Sequence, residues 1–319
     1  MEPVEIDFGR MNPGVDPHLE IWEWQIPLYL FLGGMAAGIM VLTAVTELGG
    51  NAPRSKALRL APFGALALIS VGMGALFLDL AHQLYVWRFY LAFHPTSPMS
   101  WGAWILMVVY PVGLLHGLGA LPDDLIAGVE SRSAAAGALL RRAAAFAASV
   151  RRPVLWLSVA LGVGLGVYTG LLLGTTPSRL LWNSAVLGPL FLVSGVSTGA
   201  ASLILLPIED AERHRLARLD VGAMLVELAL LGLFLVGLAT GGAPQRAAAS
   251  VLLGGEWTAP FWALVVLLGL VTPLGLEAAE MRLGRPFIRL APILVLVGGL
   301  SLRAILVAAG QETSFRMLP

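Results

Sequence analysis

Apolar residues fall into eight blocks, at roughly 26–46, 60–81, 101–120, 154–174, 184–206, 221–240, 257–276 and 288–309, and charged residues collect in the intervals between them. Each block is about 20 residues long, which as a helix crosses a hydrocarbon core of about 30 Å. The blocks are too long and too uniformly apolar for the alternating strands of an outer-membrane barrel, and in lipid only helices or closed barrels satisfy their own backbone. The pattern predicts an all-α integral membrane protein with eight transmembrane helices.

The polar intervals set the domain plan. Residues 1–25 form an outer segment, 26–120 hold helices one to three, 121–153 make a linker, 154–174 are helix four, 184–309 hold helices five to eight, and 310–319 are a tail. Arg54, Lys56 and Arg59 follow helix one. Arg132, Arg141, Arg142, Arg151 and Arg152 precede helix four, Arg213, Arg215 and Arg218 follow helix five, and Arg282, Arg285 and Arg289 follow helix seven. The opposite intervals hold only Arg88, Arg179 and Arg246. By the positive-inside rule both termini face outward, to the periplasm of a bacterial inner membrane, and the linker is cytoplasmic. Glu2, Glu5, Asp7, Asp16, Glu20 and Glu23 against Arg10 have the wrong sign for the start of a signal peptide, so the first block is expected to stay as a helix. Segment 131–152 carries Leu139, Leu140, Phe146 and Val150 among Ala and Arg, the outline of an amphipathic surface helix. With so few large apolar residues it reads as a solvated helical linker.

Helix one contains Gly33-Gly34-Met35-Ala36-Ala37-Gly38 and helix five Ser194-Gly195-Val196-Ser197-Thr198-Gly199, each with small-xxx-small spacing that permits close packing. Pro27 and Pro189 stand near their outer ends, and Glu47 and Glu209 near their inner ends. We expect two four-helix bundles related as a parallel repeat.

Composition narrows the chemistry. The 319 residues are 57% apolar and 13% charged, with zero formal charge and no cysteine. No basic stripe implies nucleic acid, and any Cys-ligated iron–sulfur cluster must belong to another polypeptide. The five histidines, His18, His82, His94, His116 and His214, are placed wrongly for paired haem ligands within a bundle, so no haem is expected. No metal motif is present.

Ionisable and aromatic residues crowd one boundary. Asp79 and His82 are three apart, and on a helix would share one face within about 5–6 Å, an arrangement suited to proton exchange or to a plain ion pair at the helix end. Ser97-Pro98-Met99-Ser100-Trp101-Gly102-Ala103-Trp104 opens helix three, Trp22, Trp24, Gln25 and Tyr29 enter helix one, and Tyr168-Thr169-Gly170 lies near the outer end of helix four. Together they outline a flat, aromatic, partly polar pocket of the kind a quinone head with its lipid tail requires. Arg303 in helix eight is expected to pair with Asp79 or steady a quinone oxygen. Glu227, with Glu47 and Glu277, could belong to a proton path from the inner side or make interhelix hydrogen bonds, and His116 reads as structural.

Ser97 to Leu106 after Phe77-Leu78-Asp79-Leu80, with Leu28-Tyr29-Leu30-Phe31-Leu32-Gly33-Gly34-Met35-Ala36-Ala37-Gly38 and Tyr168-Thr169-Gly170, resembles the NrfD family, which includes the membrane subunit of polysulfide reductase. The resemblance covers nearly all eight helices. It implies a haem-free, quinone-binding anchor (menaquinone or ubiquinone) of a multi-subunit respiratory oxidoreductase, with no iron–sulfur cluster of its own. The implied partners are a ferredoxin-like iron–sulfur subunit and a molybdopterin subunit, docked on the periplasmic side that holds the quinone. Family quinone contacts fall on Ile26 and Tyr29, where some members have Asn and His, on Tyr168, and on Asp79 and His82. Electrons would pass between the partner's cluster and the quinone, with Asp79 and His82 exchanging the accompanying protons; Ser100, Trp101, Thr169 and Arg303 complete the expected quinone site.

Two other classes fit an eight-helix protein. An ion or proton translocator predicts charged groups at mid-membrane, whereas here the polar residues are expected at the boundaries. A non-catalytic assembly anchor would use the boundary residues only to seat its partner.

Overall fold

The computed structural model describes residues 22–80, 82–176, 179–283 and 289–313. The acidic run before Trp22, His18, Arg285 and the tail beyond Thr313 lie outside the described residues. The helices in sequence order are α1 (Gln25–Leu48), α2 (Lys56–Asp79), α3 (Trp87–Leu91), α4 (Pro98–Gly119), α5 (Asp123–Arg132), α6 (Ala134–Ser149), α7 (Arg151–Gly174), α8 (Leu187–Ile204), α9 (Asp210–Ala239), α10 (Ala243–Leu253), α11 (Thr258–Pro260), α12 (Thr272–Leu283) and α13 (Leu290–Glu312). A π-helical stretch, Phe261–Val271, joins α11 to α12. Eight of these segments are long and apolar enough to cross a membrane: α1, α2, α4, α7, α8, α9, Thr258–Glu280 and α13. No strand occurs among the described residues. The end at which α1 begins is called outer, following the arginine distribution.

Local chemistry fixes several boundaries. Gly50 takes a positive φ of 78° in the turn after α1, a conformation open to glycine at little steric cost. Pro98 opens α4 behind an extended Ser97, where a missing N–H is harmless. α9 begins about ten residues before its apolar block, because Glu209 and Glu212 form a reciprocal capping box. Glu212 Oε1 also accepts the Arg54 and Ser55 N–H groups at 2.7 and 3.3 Å, tying the α1–α2 turn to α9.

α1 and α8 form the centre. α1 packs on α2, α7 and α8, while α8 packs on α7, α9 and α13. Their two small-residue motifs meet directly: a methyl on Gly199 would stand 2.8 Å from the Gly38 carbonyl carbon, one on Gly195 2.5 Å from the Gly34 oxygen, and one on Gly38 would overlap Gly195. Backbones this close leave no room for a Cβ, which explains the glycines.

The linker is a helical hairpin rather than a single element. α5 packs on α6, and α6 on the end of α4. Ser133 caps α6 by accepting the Ala136 N–H at 3.4 Å.

Candidate functional site

At the outer end of the first four spans, α1, α2, α3, α4 and α7 enclose a cavity of about 210 Å³. Its wall is mostly apolar, from Ile26, Met73, Leu76, Phe77, Leu80, Val86, Phe89, Met99, Ala103, Leu106 and Leu172. The polar side chains on it are Asp79, Tyr29, Tyr90, Tyr168 and the indole of Trp22. Tyr29 and Tyr168 are buried. The Tyr168 ring lies against the backbone of Gly102, where a methyl would overlap it. Burial raises the Tyr90 phenol above its ordinary range, and the neighbouring Tyr110 adds to the shift, so Tyr90 stays a neutral hydrogen-bond donor.

The cavity has a lid. α2 stops at Asp79 and Leu80 turns extended; a 3-10 turn (Gln83–Tyr85) and α3 then swing Val86, Phe89 and Tyr90 back over the opening. The opening of α4 pins this segment. Ser100 Oγ donates to the Ala92 carbonyl at 3.0 Å and accepts the His94 N–H at 3.1 Å, and the Trp101 indole donates to the Pro95 carbonyl at 2.7 Å. The lid's other side leaves Leu84 88% exposed, with Tyr85, Trp87, Leu91 and Phe93 also exposed and the Arg88 guanidinium 4.4 Å from the Tyr85 ring centre.

The expected site residues therefore divide. Asp79, Tyr29 and Tyr168 line one cavity. His82 does not share a helix face with Asp79, because the helix ends between them; it is exposed, outside the cavity wall, edge-on to Tyr85. Ser100 and Trp101 hold the lid instead of lining the cavity. Thr169 is fully buried, bonded to the Gly166 carbonyl at 2.7 Å, with its methyl turned to Gly33 in the α1–α7 contact.

Arg303 makes no contact with Asp79. It is 0% exposed between α1, α8 and α13, donating to Ser194 Oγ at 2.9 Å and to the Gly299 and Phe191 carbonyls at 2.8 and 3.3 Å. The buried Glu227 carboxyl lies near enough for its charge to act on Arg303. Further along, Ser197 Oγ donates to Asp220 Oδ1 at 2.6 Å, and the buried Glu277 carboxyl is a charged neighbour of Asp220. Arg303, Glu227, Asp220 and Glu277 are all buried, and Arg303 Nε, Asp220 Oδ2 and Glu277 Oε2 have no partner among the described residues. In the last four spans polar residues are thus also packed between the helices, away from any open cavity. The grouping of Glu47 with Glu227 and Glu277 fails: Glu47 is held at the inner end of the first four by Arg151 and by His116, whose Nε2 is 3.3 Å from Glu47 Oε1.

The sequence pattern alone does not single out Asp220, Ser194, Ser197 or Trp182. Asp220 falls just before the apolar block starting at 221; the Glu209-x-x-Glu212 spacing is the signal that extends the helix past it. Trp182 plugs the outer end of the last four spans. It is 2% exposed, stacked on Trp22 with ring centres 5.0 Å apart, and donates to the Leu306 carbonyl at 2.7 Å. Arg179 bonds the Gln311 carbonyl, and Gln311 in turn makes paired bonds with the Trp22 backbone at 3.0 and 2.9 Å. No cluster able to hold a metal ion occurs among the described residues.

Residues 12–314 match the sequence family described as "Polysulphide reductase, NrfD". Similar proteins include the C subunit of polysulfide reductase from Wolinella succinogenes, 29% identical with 91% of this protein and 94% of the relative covered. Protein NrfD of Escherichia coli K12 is 32% identical, covering 92% of this protein and 96% of the relative. A protein NrfD homolog of Haemophilus influenzae is 27% identical over comparable shares, 92% and 95%. A match that takes in all eight spans, the cavity and the buried polar network settles the family: this protein belongs to the polysulphide reductase NrfD family.

Proposed function

We propose that the protein is the quinone-binding membrane subunit of a multi-subunit respiratory oxidoreductase in a bacterial inner membrane, with both termini periplasmic. Membership of the NrfD family and the name of the Wolinella relative, one part of a reductase, support a subunit role. The observation that carries the quinone reading is the outer cavity, apolar except for three phenols, one carboxylate and an indole. A quinone ring is flat and apolar with carbonyl oxygens that accept hydrogen bonds, and phenols are suitable donors on a dry wall. A bound quinone supplies the redox chemistry, exchanging two electrons and two protons. Tyr29, Tyr90 and Tyr168 donate to its oxygens and orient it. Asp79 would give or take the two protons one after the other, and exposed His82 would pass each to or from water, in series rather than side by side. The exposed apolar side of the lid seats a periplasmic iron–sulfur partner, which keeps the electron path to the cavity short; a molybdopterin subunit completes the complex.

A second role, proton translocation, is favoured by the buried pairs Arg303–Ser194 and Ser197–Asp220 together with the buried carboxyls of Glu227 and Glu277. Buried carboxyls whose oxygens lack partners among the described residues are suited to taking up and releasing protons. The two central helices carry equivalent glycines into one contact, Gly34 on Gly195 and Gly38 on Gly199, as a parallel repeat about an axis between them requires.

The test is the purified native complex. Quinone should copurify with it, and Asp79→Asn and Tyr168→Phe should each lose quinone turnover while the complex still assembles. Full turnover in both variants overturns the site, and absence of any iron–sulfur partner overturns the subunit reading.

A further inference from the structure

We infer that the α5–α6 hairpin is a membrane-surface element that binds anionic phospholipid, rather than a solvated linker. The inference stands on geometry independent of the quinone cavity. On α6 the side turned to α4 and α5 carries Gly137, Leu140, Ala144 and Ala147: Gly137 and Ala147 are buried, Leu140 is half-buried, and a methyl on Gly137 would run into Glu130. At about 100° per residue, Leu139 and Phe146 fall on one stripe at the edge of the outward arc, with Arg142 beside them. Leu139 is 70% and Phe146 60% exposed. Among the described residues nothing covers them. Farther round the same arc come Ala138, Ala145 and Ala148, all exposed and small. Bulky apolar groups on one edge and small or charged ones on the other describe a helix lying at the headgroup level, with its larger side chains dipped toward the acyl region.

Two further observations say what covers that edge. The first is continuity: α6 passes into the membrane-spanning α7 through the single residue Val150, and Trp156 and Leu157 in the second turn of α7 are exposed as well. The exposed apolar edge of the hairpin thus runs into the lipid-facing side of a span. The second is charge. Arg141 is paired with Glu130, Arg151 with Glu47 and Lys56 with Asp124. That leaves Arg132, Arg142 and Arg152 exposed with no ion pair among the described residues. The other acid of the hairpin, Asp123, sits in the first turn of α5, where the helix dipole holds it. Guanidinium groups at headgroup depth next to a dipped aromatic match a phosphodiester with its acyl chains, and each is strengthened by a negatively charged headgroup.

The protein has no cysteine, so single nitroxide labels report one site each. Leu139→Cys, Phe146→Cys and Ala145→Cys would be labelled in the full-length protein, in nanodiscs of phosphatidylcholine with and without phosphatidylglycerol. The labels at 139 and 146 should collide with oxygen several-fold more than with a water-soluble nickel chelate, and the label at 145 the reverse. Phosphatidylglycerol should deepen the first two, and Arg142→Gln with Arg152→Gln should cut enrichment of phosphatidylglycerol around the protein by about fivefold per arginine. Nickel accessibility at 139 and 146 equal to that at 145 would overturn the inference in favour of a solvated linker. Loss of both collisions only when partner subunits are bound would overturn it in favour of a protein contact. Unchanged phosphatidylglycerol enrichment in the arginine variants would overturn the anionic preference.

Discussion

The first four spans and the last four bury their polar groups on opposite terms. In the first four, Asp79 and three tyrosines face an open cavity at the outer edge, and Asp79 makes no ion pair among the described residues. In the last four, an arginine, two serines and three carboxyls are packed against one another inside the helices, and the outer end is closed by Trp182. A carboxyl on an open wall is free to meet a ligand and contributes little to the fold. A sealed one is part of the fold, and removing a member leaves its neighbour uncompensated. The first arrangement suits chemistry on a diffusing molecule, and the second suits groups that act only on one another.

Substitutions should separate the two halves. Asp79→Asn is expected to act most strongly, lowering quinone turnover of the complex by about 10²–10⁴ while changing thermal stability by less than about 0.5 kcal/mol. A melting shift in place of a kinetic one would place Asp79 with the sealed groups. Arg303→Met should cost about 3 kcal/mol of stability, seen as earlier thermal unfolding in detergent. Adding Glu227→Gln to that variant should recover part of the loss, since both ends of the coupled pair are then neutral. If single and double variants melt alike, the pair is not coupled. Gly102→Ala should cost about 1–3 kcal/mol by overpacking, because its methyl overlaps the Tyr168 ring, and it should raise the KM for quinone more than it lowers kcat.

Smallest is the exposed Lys56–Asp124 pair, 2.5 Å apart on the inner surface. The hydrogen bond from Lys56 holds the Asp124 carboxyl below its ordinary range. A lowered carboxyl contributes stability above its unfolded value of about 3.9 and loses it as pH falls through the lower folded value. Lys56→Ala should therefore leave neutral-pH melting nearly unchanged and flatten the acid limb slightly; a large neutral-pH loss would mean the pair does more than a surface bridge does.

What could be read from the sequence followed from rules that act locally. Eight spans follow from length and hydropathy, and the Gly34/Gly38 and Gly195/Gly199 motifs announced helices that pack closely, because a missing Cβ has few other uses in lipid. Asp79 and Tyr168 at one depth were legible from their distance to the same boundary. The position of His82 is not legible, because a spacing of three implies a shared face only while the helix continues, and Leu80 ends it. The partners of Arg303 are not legible either, because its contacts with Ser194 and Phe191 are set by how α13 packs against α8, about a hundred residues away in sequence. Thr169 turned out to serve α1–α7 packing for the same reason: helix rotation about its own axis is decided by neighbours, not by composition.

The stacked indole of Trp182 has an electrical consequence. A membrane that stores energy as a voltage is short-circuited by any continuous file of ionisable groups open at both ends, and Leu306, whose carbonyl Trp182 caps, is one turn from Arg303. On the proposed proton path, one aromatic ring would be the insulator at that end of the helices. Trp182→Ala should make proteoliposomes discharge an imposed proton gradient faster with no quinone present, while a cavity variant such as Tyr168→Phe leaves them tight.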